Sequence, residues 1–283
     1  MQLEPCGEIC YDEPRIKKDG DTMDSVNKTL YIPLYGKAFV SKKGLFLADK
    51  KAEEIWDREG FPLKGKSRSK WLAYYMSMRA AAFDLWAKQK MEEQPDAVVL
   101  HLGCGMDSRA VRIDHGSHLW LDVDFPDVIE QRKRYFRETE SYRMVGADVM
   151  EENWLDKISG SSAIVVMEGI SMYLPEAQLK ALLGRLCGHF KTVSLLMDCY
   201  TTFAAKASKV KNPINDVGVT RVYGLDDPKI LQTDVLRFVA EREMTPEDLI
   251  AELPKGEQWI FRKLYAGSVA KKMYRMYEYR SGK

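Results

Sequence analysis

The sequence predicts an α/β fold in which a mostly parallel sheet carries helices on both faces. Strand-like runs recur at fairly even spacing, at 97–102, 118–123, 142–145, 162–167 and 191–198. Helical stretches at 127–138 and 175–189 separate several of these runs, and alternating strands and helices are typical of parallel sheets. The runs SAIVVMEG and TVSLLMDCY are almost continuously apolar, as strands buried on both faces are.

The segment before residue 96 has a mostly helical and irregular pattern, and its clearest helix spans 69–91. Apolar residues recur there every three or four positions, which is the pattern of a helix face packed against a core. Arg79 lies on that apolar face. A buried charge needs a partner, so Arg79 snorkels to solvent, pairs with an acid in the core, or serves a functional site. The helix pattern leaves these interpretations open.

The last third of the chain departs from the strand–helix alternation. Residues 201–233 lose the pattern and contain KVKNPINDVG and GLDDPK, which predicts an insertion that could act as a lid. A further strand is predicted at 235–243, and a basic, aromatic helix at 257–274. The segment YRMYEYR close to the end predicts a last strand.

Composition limits the classes of function. The 283 residues carry a net charge of +1 and are 45% hydrophobic, so the overall charge predicts neither a nucleic-acid partner nor an anionic membrane partner. We expect a cytoplasmic protein, because the sequence shows neither a signal-peptide pattern nor an apolar run of 18 residues. The five cysteines are scattered and odd in number, which favours plain thiols over disulfides or a metal site.

Acidic residues follow four consecutive predicted strands, and a glycine turn follows the first. In open α/β sheets, ligands bind beyond the carboxyl ends of the strands. The glycines of Gly103-Cys104-Gly105 permit a tight turn and a close backbone approach to a ligand. Each acid alone is explained by a helix cap or a salt bridge, but four together favour a ligand site. The acids are Asp122 and Asp124, Asp148, Glu168 and Asp198.

Two cofactor classes compete for this site. A dinucleotide fingerprint requires G-x-G-x-x-G/A, and the corresponding positions here are Gly103, Gly105 and Ser108, a near miss that leaves a nicotinamide oxidoreductase possible. The acidic crevice better suits a ligand with ribose hydroxyls, an ammonium group and a sulfonium cation, as in S-adenosylmethionine. Its carboxylate would require a cation, which Arg79 or a lysine could supply.

Three ordered motifs resemble the leucine carboxyl methyltransferase family. LGCGMDSRAVR, LDVDFPDVIEQRKR and VVMEGISMYLP are most similar to its bacterial branch of polyketide O-methyltransferases, and the resemblance covers roughly residues 30–200. The family implies a class I methyltransferase (Rossmann-like) fold, a mostly parallel seven-stranded sheet with an antiparallel last strand. It also implies an N-terminal helical cap over 1–95, which contributes to the pocket, and an α/β domain over 96–283.

The resemblance also implies S-adenosylmethionine contacts. Lys37 in the string YGKAFVS corresponds to a lysine of the family. Arg79 corresponds to the family arginine on the N-terminal helix, which implies that it binds the cofactor carboxylate. The segment GADV departs from the usual family string after the third strand. The cofactor-binding residues expected here are Lys37, Arg79, Gly103, Gly105, Asp124 on the ribose, Asp148 and Val149 near the adenine, and Glu168.

The expected reaction is O-methylation of a carboxylate or phenolic hydroxyl of a polyketide-like small molecule. None of the four histidines falls in a predicted strand-end loop, so we expect a nucleophile that arrives ionised, with Tyr173 and Tyr200 as candidate catalytic side chains. Packing in the pocket wall explains both tyrosines equally simply. Alternatives are a protein C-terminal carboxyl methyltransferase and a non-catalytic S-adenosylmethionine-binding protein. The sequence leaves the oligomeric state open.

Overall fold

The computed structural model of the protein describes residues 30–61, 63, 65–208 and 222–282. Its strands are β1 Val98–Leu102, β2 Trp120–Asp124, β3 Tyr142–Gly146, β4 Ser162–Met167, β5 Thr192–Tyr200, β6 Leu236–Arg242 and β7 Tyr274–Ser281. They form a seven-stranded sheet in the order β3-β2-β1-β4-β5-β7-β6. The first five strands are parallel, and β7 runs antiparallel between β5 and β6. The predicted fold class is therefore confirmed.

The helices cover both faces of this sheet. Their bounds are α1 Tyr31–Lys42, α2 Lys50–Glu59, α3 Lys70–Glu93, α4 Arg109–Arg112, α5 Pro126–Arg132, α6 Glu176–His189, α7 Thr202–Ala207, α8 Glu247–Ala251, α9 Lys255–Tyr265 and α10 Gly267–Lys271. Short 3₁₀ helices lie at Gly65–Arg68, Ser171–Tyr173 and Pro228–Leu231. Among the described residues, no helix combines the length and apolar character that crossing a bilayer requires.

Two hydrophobic cores follow from the alternation of side chains along the strands. In β1, Val99 packs with the core that includes α1 and α3, whereas Val98 and Leu100 pack with the core that includes α6. Successive strand residues point to opposite faces, so each central strand contributes to both cores. Every residue of β1 is buried, as its nearly continuous apolar sequence predicts.

Two predicted helices end earlier than the sequence pattern indicates. The helix predicted at 127–138 ends at Arg132, after which the chain turns so that Tyr135 and Phe136 are buried. The helix predicted at 257–274 is divided into α9 and α10, because Gly267 has a φ of 64°. A left-handed residue ends an α-helix, and glycine adopts this conformation without a steric penalty.

The predicted lid at 201–233 is described only at its two ends, and residues 209–221 lie outside the described ranges. Its first end forms α7, whose N-cap Thr201 accepts a hydrogen bond from the Ala204 N–H. Its second end returns to the sheet, where the Leu225 N–H donates to the Tyr200 carbonyl at 2.7 Å. Both described ends are thus fixed beside the carboxyl end of β5. Residues 1–29 of the predicted cap, with Cys6 and Cys10, also lie outside the described residues.

Candidate active site

A cavity of about 250 Å³ lies at the carboxyl ends of the strands. Its wall combines residues from α1, α3, the turn after β1, the end of β2, the segment after β4 and the end of β5. This is the edge of the sheet where ligands bind in α/β folds. The charged, imidazole and phenolic side chains on the wall are Lys37, Arg79, His101, Asp107, Asp124, Glu168, Tyr173, Tyr200 and Tyr274.

The glycine turn after β1 forms the backbone part of the wall. Gly103 and Gly105 have φ values of 66° and 48°, a region that side chains other than glycine rarely adopt. The Gly103 N–H donates to the Val123 carbonyl at 2.8 Å, which ties the turn to β2. A Cβ atom on Gly103 would lie 2.9 Å from Ile170 Cδ1, so the turn also requires a residue without a side chain.

Asp124 and Asp122, two residues apart in β2, have different surroundings. Asp124 lines the cavity and accepts the N–H groups of Gly105, at 2.7 Å, and Phe125. Burial raises the pKa of the Asp124 carboxyl, although these two N–H groups oppose the change. Asp122 is fully buried behind the turn and accepts hydrogen bonds from Arg132 and from other core donors. Of the two acids that the sequence offered at this strand, only Asp124 lies on the cavity wall.

Arg79 projects from α3 into the cavity wall and is 3% exposed. Its guanidinium forms ion pairs with Glu168 at 2.9 Å and Asp198 at 2.7 Å, and it donates to the Tyr274 hydroxyl at 2.9 Å. Its Nε atom is buried without a hydrogen-bond partner. Snorkelling to solvent is therefore excluded for Arg79, and the side chain both pairs with acids in the core and faces the cavity.

Glu168 follows β4 and lies between two guanidinium groups. It pairs with Arg79 and also accepts a hydrogen bond from Arg109. Burial raises the pKa of Glu168, but Arg79 and Arg109 outweigh it and lower the value to about 2. These two guanidinium groups therefore favour the ionised form of Glu168 on the cavity wall.

Lys37 of α1 reaches the same wall and pairs with Asp107 at 3.0 Å. Both side chains are almost fully buried. Burial raises the pKa of Asp107, but Lys37 and Arg109 outweigh it and hold the pKa well below its usual range. The sequence pattern predicts Lys37 at this site but gives no indication of Asp107 and Arg109, which lie in the polar run after the glycine turn. A buried polar run beside a ligand-binding turn is the signal that could have found them.

Asp148 and Val149 do not lie on the cavity wall. Asp148 accepts the Met150 N–H at 2.8 Å and so closes the turn after β3. Val149 is buried in the core that includes α6. The two candidate tyrosines do lie on the wall, and the Tyr200 ring packs edge-on against Tyr274 with the ring centroids 4.9 Å apart.

His101 lines the cavity although it lies inside β1, a position that the sequence analysis set aside. Its Nε2 atom lies 3.1 Å from Arg109 Nη1, and its Nδ1 atom lies 3.2 Å from Asp122 Oδ1. Because a guanidinium only donates, Nε2 must accept and Nδ1 carries the proton. Both ring nitrogens are therefore committed to neighbouring side chains, and His101 offers no nitrogen as a general base.

The sheet order, the antiparallel β7 and the glycine turn beside an acid at the end of β2 together define a class I S-adenosylmethionine-dependent methyltransferase. The model of the leucine carboxyl methyltransferase family matches residues 22–187. The chain therefore belongs to the leucine carboxyl methyltransferase family, and the resemblance seen in its motifs is confirmed.

Individual relatives agree with this assignment. The tetracenomycin polyketide synthesis O-methyltransferase TcmP of Streptomyces glaucescens is 34% identical over 243 residues, which cover 84% of this chain and 90% of TcmP. An S-adenosyl-L-methionine-dependent methyltransferase of Gibberella zeae is 26% identical over 238 residues, which cover 76% of this chain and 80% of that protein. A crystal structure from Thermobifida fusca, assigned as a methyltransferase, superposes with a TM-score of 0.55 at 13% identity, over 88% of this chain and 94% of that one.

The cavity fits S-adenosylmethionine by its chemistry. Three carboxylates and two cations line the wall, which complements a ligand with two positive charges and one negative charge. Arg79, whose Nε is buried without a partner, and Gly103, whose Cβ position would meet Ile170, both line this cavity. Within the described ranges, no group of three His, Cys, Asp or Glu side chains is arranged to hold a metal ion. The protein is an S-adenosylmethionine-dependent methyltransferase.

Proposed function

We propose that the protein methylates a carboxylate or a phenolic hydroxyl of a small, polyketide-like molecule. The observation that carries the proposal is the division of the cavity wall. Its charged side chains belong to one network of ion pairs and hydrogen bonds around the glycine turn, and the rest of the wall is mostly apolar or aromatic. The relation to TcmP, which carries the name of a polyketide O-methyltransferase, supports the same acceptor class.

The charged network is assigned to the cofactor. Arg79 and Glu168 place a cation and an anion 2.9 Å apart, an arrangement that matches the carboxylate and ammonium of an amino-acid group. Lys37 adds a second cation for the carboxylate. Asp124 is assigned to the ribose hydroxyls, and the backbone at Gly103 permits the close approach of the ligand.

Two further assignments follow from the family pattern. Gly105 presents its N–H to Asp124 and keeps that carboxylate facing the cavity. Asp148 and Val149 are assigned to the adenine side on the family pattern alone, because they follow β3, which pairs with β2, but neither lines the cavity. We also retain the division into a cap over 1–95 and an α/β domain over 96–283, with 201–233 as a lid.

The chemistry needs little from the protein beyond position. S-adenosylmethionine supplies an electrophilic methyl group on its sulfonium centre when it is bound. The wall contributed by α1, α3 and the segment after β4 holds the acceptor and excludes water. A carboxylate or an acidic phenol enters ionised, so no side chain has to remove a proton in the transfer step.

The apolar part of the wall favours a small aromatic acceptor over a protein C-terminus. It includes Leu30, Ile32, Leu72, Met76 and Met172. Of the described lining residues, the only cations are Lys37 and Arg79, and each already pairs with an acid. Any carboxylate acceptor, on a peptide or on a small molecule, would compete with the cofactor carboxylate for these two cations, so the preference for a small aromatic acceptor rests on the apolar lining.

The candidate tyrosines can be tested directly. If Tyr173 and Tyr200 pack against the acceptor without removing a proton, Tyr173→Phe and Tyr200→Phe will each keep kcat within about threefold of wild type. Steady-state turnover with a saturating phenolic acceptor is the measurement. A loss of about a hundredfold or more in kcat with either variant would assign that tyrosine to the proton transfer.

The function is tested by incubating the enzyme with S-adenosylmethionine and a panel of aromatic carboxylic acids and phenols, with peptides that end in a free leucine carboxylate as the comparison. Mass spectrometry detects the transferred methyl group. Mild alkali then separates the products, because methyl esters release methanol and aryl methyl ethers do not. Methylation of peptides alone would favour the protein carboxyl methyltransferase. Binding of the cofactor without methylation of any panel member would favour a binding protein.

A further inference from the structure

Arg109 is a buried side chain within the motif LGCGMDSRAVR, and neither the expected cofactor contacts nor the proposed catalytic roles use it. It directly follows Asp107-Ser108 in the polar run after the glycine turn, and its side chain is 0% exposed. It donates through Nε to Asp84 at 2.7 Å and through Nη2 to Glu168. A fully buried arginine with this many partners has one defined orientation, since its five donors have a fixed geometry.

The histidine of β1 completes this arrangement. His101 Nε2 accepts from Arg109 Nη1, and its Nδ1–H donates to Asp122, which also accepts from Arg132. The guanidinium of Arg109 is thereby held from three sides, by α3, by β1 and by the segment after β4. Of the carboxylates of Asp84, Asp122 and Glu168, only that of Glu168 lines the cavity. In the described contacts it is held by the side chains of Arg109 and Arg79 and by no backbone N–H group.

We propose that Arg109, held by Asp84 and by neutral His101, is a positioning residue that fixes Glu168 for the ammonium group of the cofactor. The proposal rests on the assignment of Glu168 to the cofactor. Without Arg109, the carboxylate would keep only its pair with Arg79, and that cation is needed for the cofactor carboxylate. Arg109 therefore leaves Arg79 free to exchange its partner when the ligand binds.

The test is a double-mutant cycle on binding of S-adenosylhomocysteine, measured by calorimetry. We expect Arg109→Lys and Glu168→Gln each to weaken binding roughly tenfold, and the double variant to bind within about twofold of Glu168→Gln alone. If the Kd of the double variant rises by the product of the two single fold-changes, the proposal is overturned. A wild-type protein that binds no S-adenosylhomocysteine would instead overturn the proposed function, so the two failures are distinct.

Arg112→Lys is the matched control for loss of a buried arginine. Arg112 lies on the same helix as Arg109 and pairs with the same Asp84, but it makes no contact with Glu168. We expect Arg112→Lys to lower the Tm of the ligand-free protein by an amount similar to that of Arg109→Lys, while changing the Kd less than about threefold. Equal weakening of binding by both variants would show a merely structural role.

A ligand without the amino-acid group gives a second readout. 5′-Methylthioadenosine lacks the ammonium and carboxylate, so Arg109→Lys should leave its Kd within about twofold of wild type. A loss of affinity for this ligand equal to that for S-adenosylhomocysteine would overturn the proposal, since it would place the defect outside the Glu168 contact.

Substitutions at His101 keep the proposal testable if the arginine variants fail to fold. In His101→Gln the longer side chain can place its amide carbonyl where Nε2 lies and accept from Arg109. In His101→Asn the shorter side chain places its amide where Nδ1 lies, so it can donate to Asp122 but does not reach Arg109. We expect His101→Asn to weaken binding of S-adenosylhomocysteine at least about fivefold more than His101→Gln does. Equal affinities in the two variants would contradict a role for His101 in holding Arg109.

Discussion

Burial and charge act in opposite directions on the carboxyl group of Glu168. Burial raises its pKa, but the opposing effect of Arg79 and Arg109 is larger, and the resulting pKa is about 2. The ordinary value of the group is 4.5, so folding favours its ionised form. Ionised Glu168 therefore contributes to stability above about pH 4.5, and this contribution is lost as the pH falls toward 2.

Replacement of Glu168 should change how stability depends on pH. The lowered pKa corresponds to a contribution on the order of 3 kcal/mol at neutral pH. We expect Glu168→Gln to lower the free energy of unfolding at neutral pH and to reduce its decline between about pH 5 and pH 2. Urea unfolding at a series of pH values measures both effects.

Glu93→Gln is the control for this experiment. The pKa of Glu93 is also lowered, by its hydrogen bond to Lys90, but its side chain is 44% exposed. Exposed pairs are screened by solvent and contribute little. A Glu168→Gln variant whose pH dependence matches that of Glu93→Gln would contradict the assignment of Glu168 as a strongly stabilised carboxylate.

The turn after β1 combines backbone strain with a close contact, and glycine substitutions can separate the two. Gly44 has a φ of 63° with open space around it, whereas at Gly103 a Cβ atom would also meet Ile170. We expect Gly44→Ala to cost about 1 kcal/mol through backbone strain alone. Gly103→Ala should cost about 1–2 kcal/mol more and weaken cofactor binding. Equal losses in urea unfolding would show that Ile170 yields without cost.

The N-cap of α2 joins this helix to the segment after the glycine turn. Asp49 accepts the Ala52 N–H at 2.8 Å as a helix cap, and it also accepts from Ser108 and pairs with Arg112 at 2.6 Å. Asparagine caps helices as well as aspartate but carries no charge. The two functions of Asp49 can therefore be separated by substitution.

We expect Asp49→Asn to be less stable than wild type because it leaves Arg112 with less compensating charge. Asp49→Ala should lose about 1 kcal/mol more, the usual contribution of a helix cap. Chemical unfolding measures both differences. If the asparagine variant matches wild type in stability, the Asp49–Arg112 pair does not hold the two layers together.

Periodicity was sufficient to predict the strands, because burial on one or both faces leaves a pattern in the local sequence. SAIVVM became β4 and TVSLLMDCY became β5 at almost the predicted bounds. Helix ends were harder, since the end of α5 depends on where the chain buries Tyr135 and Phe136, a tertiary requirement. Gly267 was a local signal that could have divided the last predicted helix.

The candidate site shows the same division between local and tertiary information. Gly103, Asp124 and Glu168 occupy strand ends, so sequence order alone brought them together on the wall. The sequence pattern did not indicate His101 and Arg109, because their contacts depend on the direction of a side chain and on partners that lie up to 59 residues away in the sequence. Such partners leave no periodic pattern.

At the scale of the whole molecule, the cap and the sheet share one hydrophobic core. That core contains Leu34 and Phe83 from the N-terminal helices together with Val99, Ile164 and Met276 from the strands. The ion pairs of Arg79 and Lys37 also connect cap helices to the strand ends. The proposed cap is therefore one packed layer of the molecule and supplies part of the cavity wall.

A shared core predicts that the cap and sheet unfold together. Three of the six tryptophans, Trp56, Trp71 and Trp86, belong to the proposed cap, and Trp120, Trp154 and Trp259 belong to the rest of the chain. Tryptophan fluorescence therefore reports on both layers, while far-ultraviolet circular dichroism reports on all helices and strands. We expect the two signals to give one coincident thermal transition. S-adenosylhomocysteine at a hundred times its Kd should stabilise the protein by about 2.7 kcal/mol and move both signals equally.

The control is the same experiment with Arg79→Lys. Lysine keeps the positive charge, but its single ammonium nitrogen replaces the planar guanidinium that pairs with both Glu168 and Asp198. We expect its ligand-free transition to remain single, because the shared apolar core is unchanged, while the shift caused by S-adenosylhomocysteine shrinks. Two separate transitions in the wild type would show that the cap is an independently stable unit. In that case its cations would reach the site by docking of a preformed domain, and cofactor binding would move the two transitions by different amounts.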